Sequence, residues 1–537
     1  MRTSLQDINP ARGVSGCNNG KEAEAEREAE REAEREAERE AEREAEWEAE
    51  REAEREAERE AEREAEREAE REAEREAERE AEREAEREAE REAEREAERE
   101  AEREAERGVP KAFTGVVDVC SLDPHRAGVQ PISFLHQVLA VCIYPELLSD
   151  DNFALDVCQR AQRLLQSCDG SSVGSYSPPR GLESIQHSIA QFITNRDSSV
   201  PTDAHNIFLA AGLQRSLMVM LGLLSSGEGE PQNGMLVPLP SPHTLARVMG
   251  ATGVRQVPYR LREDAGWAVD LEELQRVILT ARGCCRLVAM YISNPGNPTG
   301  HVQNQKSIEE VIKFAAAEGL FLLVDEVDQH SVHGSGSTFV SYKKVLFEMG
   351  PGYWDTVEMA SLHSLSNGFM GECGLRGGYM ELVNVDEDVK HYAAIFLGLD
   401  NSPILGQLAL DVMLHPPQPS EPSYQVYTQE ILTNRTILAE NAQRARDFLD
   451  SLPGMSCQPA VGGVYVYPCL DIPGGLLERA KELLEEQGVC VGAGSENGHT
   501  GGDYHLRLCV AVSRVHLEVA LERLSSFHLR LLDSHRC

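Results

Sequence analysis

The sequence predicts an α/β fold: a doubly wound, mostly parallel sheet joined to a smaller α+β domain and preceded by a long charged helix. Three observations predict it. Residues 22–107 repeat Glu-Ala-Glu-Arg almost without variation, Trp47 taking the place of one arginine. From about Asn206, apolar strand-like runs alternate with helical stretches, the pattern of βαβ units. A proline-rich break at 416–423 is then followed by a long helical run.

The elements follow in chain order. Residues 1–21 lack an apolar run and read as a disordered N-terminus. In residues 22–107 Ala, Glu and Arg are strong helix formers, and each Arg has Glu three residues away on either side. At 1.5 Å per residue such a low-complexity helix would reach on the order of 130 Å. Its four-residue period makes the alanines precess around the axis, so no apolar seam forms for a coiled-coil partner, and the segment reads as a solvated spacer. Residues 108–200 read as an N-terminal segment that contributes to the small domain. The large domain, 201–415, is expected to hold strands at Met235–Pro240, Arg286–Ser293, Leu320–Asp325 and Arg376–Leu382, with a helix at Ser307–Glu318. Residues 424–530 are expected to form the C-terminal small domain, with a helix at Thr428–Asp450, a strand at Tyr504–Val512 and a helix at His516–Ser525.

The formal net charge is −39, but the repeat holds 43 Glu against 20 Arg and so supplies −23 of it. What remains is ordinarily acidic, and no basic stripe outside the repeat would neutralise phosphates, which argues against nucleic-acid or anionic-membrane binding. The 13 cysteines show no C-x-x-C spacing, so neither a zinc site nor a thioredoxin-like motif is expected, and the thiols read as reduced. Without a signal-like segment or a long apolar span, the chain reads as cytoplasmic; a mitochondrial leader with Arg2 and Arg12 is the weaker alternative. His330 and His333, in a Gly/Ser-rich loop with no third ligand nearby, read as surface histidines, and Cys284-Cys285 as a reduced pair.

Three segments carry chemistry. Tyr291-Ile-Ser-Asn-Pro-Gly-Asn-Pro-Thr-Gly300 closes an apolar strand with two rigid Asn-Pro steps, which puts side-chain amides at the carboxyl edge of the sheet, where α/β proteins bind ligands. Phe321-Leu-Leu-Val-Asp-Glu326 is a buried strand ending in two carboxylates at the same edge. Ser364-Leu-Ser-Asn-Gly-Phe-Met-Gly-Glu-Cys-Gly-Leu-Arg-Gly-Gly-Tyr-Met380 is rich in serine and glycine. Alone, the first also reads as a plain turn and the second as a helix cap or ion pair.

Together, in order and spacing, they resemble alanine aminotransferase, and the likeness runs from about Ala112 to Leu529 through segments such as Lys343-Lys-Val-Leu-Phe-Glu-Met-Gly350. The resemblance implies a fold-type-I, pyridoxal-phosphate transferase and a homodimer acting on small amino acids and 2-oxo acids. It implies Asn297 as the amide on the cofactor's phenolic oxygen, and Asp325 as the carboxylate that keeps the ring nitrogen protonated. It implies Arg376, with Ser364 and Ser366, as the phosphate clamp. Arg507 would grip the substrate carboxylate, and Tyr176 would reach toward the neighbouring subunit's cofactor.

The departures from the family concentrate on one site. Asn367 stands where the resemblance implies the cofactor-binding lysine, and no lysine occurs between Lys344 and Lys390. An amide can neither hold the cofactor's aldehyde nor move a proton at neutral pH. Asp328 takes the place of a supporting tyrosine. Leu213 and Gln214 replace a small pair that would cradle phosphate. Pro242 and Leu245 replace stacking aromatics, and Leu122 replaces a glycine of the substrate loop. The expected function is therefore that of an alanine-aminotransferase-like pseudoenzyme, its cofactor held non-covalently if at all. Two alternatives stay open: an active alanine transaminase, and a structural spacer in which the charged helix matters and the domain is a dimeric cap.

Overall fold

The computed structural model describes residues 113, 115–225, 232–334, 336–365, 370–470, 476–498 and 504–535. All of them belong to the compact unit Glu96–Cys537. The N-terminal tail and the charged helix expected over 22–107 lie outside the described residues, as do Ser366 and Asn367.

The strand β1 (Val117–Asp118) belongs to a small outer ladder; the main sheet begins with β2 (Ile207–Ala210). It continues with β3 (Asn233–Leu239), β4 (Arg255–Arg260), β5 (Arg286–Ser293), β6 (Phe321–Asp325), β7 (Met359–Ser364) and β8 (Gly378–Val383). Their order is β2-β8-β7-β6-β5-β3-β4. Only β8 runs against its neighbours in this seven-stranded sheet.

The apolar runs explain why the sheet is covered on both faces. Met290, Ile292, Leu322 and Val324 belong to one buried cluster with the helices Leu271–Ala281 and Gln305–Glu318. The alternating Ala289, Tyr291, Phe321 and Leu323 belong to another with the helices Leu213–Leu224 and Leu245–Thr252. Period-two alternation in a strand buried on both sides accounts for this division. Three strands were not anticipated: β2, β4 and β7. Exposed Arg255, Pro258 and Arg260 interrupt β4 as an edge strand, and β2 has only four residues.

Strands β9 (Met455–Ser456), β10 (Tyr465–Val466), β11 (Cys469–Leu470), β12 (Val489–Cys490), β13 (Gly492–Ala493) and β14 (Tyr504–Cys509) make the smaller sheets. The order there is β10-β14-β11-β9, with β13 also on β14, while β1 pairs with β12 in parallel. The long helix spans Tyr424–Asp450 and starts earlier than expected, because buried Asp156 accepts from both the backbone N–H and the hydroxyl of Ser423 just before it. The strand expected to reach Val512 ends at Cys509, and the last helix runs Arg514–His535.

Two expectations are corrected. Arg376 is not a strand residue: it sits at φ 54°, in the left-handed region just before β8. His330 and His333 are not surface histidines. The loop after β6 folds back over the domain, and the His330 ring packs 5.7 Å from Phe192 and 5.6 Å from His363. Burial pushes His330 down to about 4, so it is an uncharged packing group near neutrality.

Candidate functional site

Every parallel strand of the main sheet ends at one edge, and register brings the sequence-predicted residues there. Ser293 on β5 pairs with Asp325 on β6, Asp325 pairs with Leu362 on β7, and Ser364 on β7 pairs with Gly378 on β8. On the next strand Ala210 of β2 also pairs with Gly378, so the helix Leu213–Leu224 opens at this edge with Gly212 as its N-cap.

Gly212, Ser364 and Arg376 converge. Arg376 donates through Nη2 to the carbonyl of Ala211 at 3.0 Å and through Nη1 to that of Cys373 at 3.3 Å. A Cβ on Gly212 would stand 3.0 Å from Arg376 Nη2 and 3.4 Å from Ser364 Oγ, and Gly212 itself has φ 92°. Only glycine keeps that cup open and adopts that backbone without strain. The first-turn N–H groups of the helix, free of intrahelical partners, face the same anion-favouring end.

Asp325 is buried, accepts from Tyr291 Oη at 2.6 Å and from the Val327 N–H at 3.1 Å, and burial pushes its carboxyl up to about 6. Glu326 points the other way, accepting from Ser361 Oγ at 2.6 Å and the Tyr342 N–H at 2.9 Å. The two carboxylates therefore take different partners, Asp325 those at the strand edge beside Tyr291 and Glu326 those of the packing around Ser361 and Tyr342. Asp328 is also buried, its Oδ1 has no hydrogen-bond partner, and burial together with the charge of Asp325 raises it to about 7. Asn297 lies half-buried in the turn after β5, which is anchored by the Asn294 N–H to the Asp325 carbonyl at 2.9 Å.

Arg507 lies elsewhere, on β14. Its side chain is buried, with Nη1 2.8 Å from His243 Nδ1, Nη2 3.6 Å from the Glu496 carboxylate and 3.7 Å from Cys120 Sγ, and its charge over the Tyr465 ring. Tyr176 is 87% exposed. Pro242 and Leu245 are buried, Leu245 in the apolar core beside Leu217 rather than at the surface of the site. Leu122 packs partly buried against the other core cluster, and Gln214 is exposed. Among the described residues no cluster of His, Cys, Asp and Glu could hold a metal ion, and no helix is long and apolar enough to cross a membrane.

Sequence reasoning missed Tyr291, Gly212, His243 and Glu496. Tyr291 had a signal, since it alternates with Ser293 on the strand that ends beside Asp325. His243 and Glu496 had none, because nothing local ties either to Arg507.

Comparison with known proteins follows the same lines. The family described as aminotransferase class I and II matches residues 146–524. The chain belongs to that family. It is similar to alanine aminotransferase 2 of Xenopus laevis, 42% identical over 441 residues covering 80% of this chain and 82% of that protein. It is likewise similar to alanine aminotransferase 1 of Homo sapiens, 42% identical over 439 residues covering 79% of this chain and 88% of the relative. Among solved structures, an alanine aminotransferase from Pyrococcus furiosus superposes with a TM-score of 0.63 at 21% identity, covering 80% of this chain and 95% of that one, a likeness of fold.

Class I and II aminotransferases use pyridoxal phosphate, and most of this family member's edge fits that group. The cup at Gly212 suits a phosphate, and Asp325, destabilised as an isolated anion by burial, suits a ring cation.

Proposed function

We propose that this chain is an alanine-aminotransferase-like protein that holds pyridoxal phosphate without a covalent bond and does not transfer amino groups between alanine and 2-oxoglutarate. The observation that carries the reading is Asn367, with no lysine between Lys344 and Lys390 to substitute for it. The two lysines preceding that gap are committed elsewhere: Lys343 Nζ donates to Thr202 Oγ1 at 2.6 Å and pairs with Glu381, and Lys344 Nζ reaches Ser198 Oγ at 3.3 Å.

When bound, the cofactor supplies an aldehyde and an electron-withdrawing ring. Arg376, Ser364 and the helix N-terminus at Gly212 would hold its phosphate. Asp325, oriented by Tyr291, would accept from its ring nitrogen. Asn297 and the protonated form of Asp328 would donate toward its ring oxygen, Asp328 more weakly as pH rises. What is missing is an amine to anchor the aldehyde and to carry a proton.

A homodimer belongs to the same reading. Tyr392, Ile395, Phe396 and Leu399 are 41–76% exposed, and their spacing puts them on one face of the helix Glu387–Gly398 and its C-cap. An apolar stripe of this kind is what an isologous partner covers.

A pyridoxal-phosphate titration of the purified chain tests the reading. Saturable binding reversed by dialysis, with no borohydride-trapped adduct and no alanine turnover, supports it. An adduct with turnover overturns it.

A further inference from the structure

Beside Arg507 lies a pair of thiols that amino transfer does not use. In the β1–β12 ladder Val117 pairs with Val489 and Asp118 with Cys490, and the Val119 N–H donates to the Cys490 carbonyl at 3.0 Å. Val119 and Val491 turn into the core, so by strand alternation Asp118, Cys120 and Cys490 share the opposite face. The Cys120 N–H is pinned to Asp118 Oδ1 at 2.8 Å. Arg507 Nη2 stands 3.7 Å from Cys120 Sγ, and the Cys490 side chain hydrogen-bonds the same sulfur. Neither cysteine is in a disulfide, and both are only partly buried.

We propose that Cys120 and Cys490 form a peroxide-oxidised dithiol site, with Cys120 as the attacking sulfur, Cys490 as the resolving one and Arg507 as the cation facing the thiolate. The hydrogen bond from Cys490 holds the Cys120 thiol low; burial opposes this, and the Arg507 charge adds to it. Burial instead pushes Cys142 and Cys457 up to about 12, which makes them inert.

The step balances. Cys120 thiolate attacks one oxygen of hydrogen peroxide, the O–O bond breaks, and the departing hydroxide takes a proton and leaves as water. The Cys490 sulfur then attacks the sulfenic sulfur of Cys120, the S–O bond breaks, and that oxygen leaves as a second water carrying the Cys490 proton. Two electrons pass from the two sulfurs to the peroxide, and a disulfide remains. The product ties β12 to the residues after β1 and removes a thiolate from Arg507, so oxidation raises the capacity of that arginine for an external anion.

The test is peptide mapping of the full chain after limiting hydrogen peroxide, with thermal melts to confirm that each variant is folded. The expected result is a 120–490 disulfide as the first linkage, about 2 Da lighter than the reduced chain. Cys490→Ser should accumulate a dimedone adduct at Cys120, and Arg507→Gln should slow Cys120 oxidation severalfold. A first linkage between other cysteines, or a folded Cys490→Ser chain with no dimedone adduct at Cys120, would overturn the proposal.

Discussion

The carboxylate of Glu496 stands 3.6 Å from the guanidinium of Arg507, Glu496 lying in the turn Gly494–Asn497 that follows β13 and Arg507 on β14, which pairs with β13. The arginine proposed to grip a substrate carboxylate already has an internal counter-ion. Glu496→Gln removes that competitor while keeping the side chain's size. Affinity for 2-oxoglutarate, measured by calorimetry, should rise about tenfold, equivalent to ~1.4 kcal/mol. Unchanged affinity would show that Glu496 does not screen Arg507.

Asn367→Lys restores the amine that the family likeness implies at this position. With pyridoxal phosphate present, borohydride treatment should leave one stable adduct per chain at Lys introduced there, where the unaltered chain leaves none. Because Glu496 still faces Arg507, alanine turnover should be weak in the single variant and at least several times greater when Glu496→Gln is added. No adduct in a folded Asn367→Lys chain would mean that the aldehyde end of the site is elsewhere.

Asp328 and Asp325 make stability depend on pH. Burial raises Asp328 from 3.8 to about 7, so the native state binds its proton more tightly than the unfolded chain does. The associated stability is fully present below pH ~4 and is lost as pH rises through about 7. Asp328→Asn cannot ionise, so it should match the parent at pH 4 and exceed it at pH 8 by ~4 kcal/mol. Denaturant melts at the two pH values check this, and a difference between Asp328→Asn and the parent that does not widen from pH 4 to pH 8 contradicts it.

Lys343 and Glu381 are both buried and paired. Lys343→Met should cost about 3–5 kcal/mol, because it leaves a buried carboxylate without its cation. Adding Glu381→Leu should recover much of that loss in denaturant melts. If the double variant is no better than the single one, the damage is packing rather than an uncompensated charge.

The exposed stripe on the helix Glu387–Gly398 predicts an assembly. Ile395→Glu, placing a charge in its middle, should shift sedimentation from dimer to monomer at micromolar concentration without changing the helical signal. A parent chain that sediments as a monomer would remove the dimer from the proposed function.

Much of the large domain was legible because its strands are long apolar runs. Arg286–Ser293 and Phe321–Asp325 are found where periodicity put them, within a residue. The short β2 and the polar edge strand β4 lacked that signal, since pairing with neighbours rather than their own composition makes them strands. Of the residues the resemblance implied, Ser364 and Arg376 stand together beside Gly212, while Asp325 pairs with Leu362, two residues before Ser364 on β7. The loop carrying His330 misled because a Gly/Ser-rich composition looks solvated, whereas here it folds back and packs the His330 ring tilted against Phe192 and edge-on to His363.

The sequence by itself determined the doubly wound sheet, the order of the three chemical segments and the identity of residue 367, because strand periodicity and motif spacing are local properties of the chain. Only the tertiary structure decided what surrounds Arg507. His243 is 264 residues away in sequence and Cys120 is 387 away, and no local pattern encodes a charge balance that forms when distant loops and strands close on one buried guanidinium.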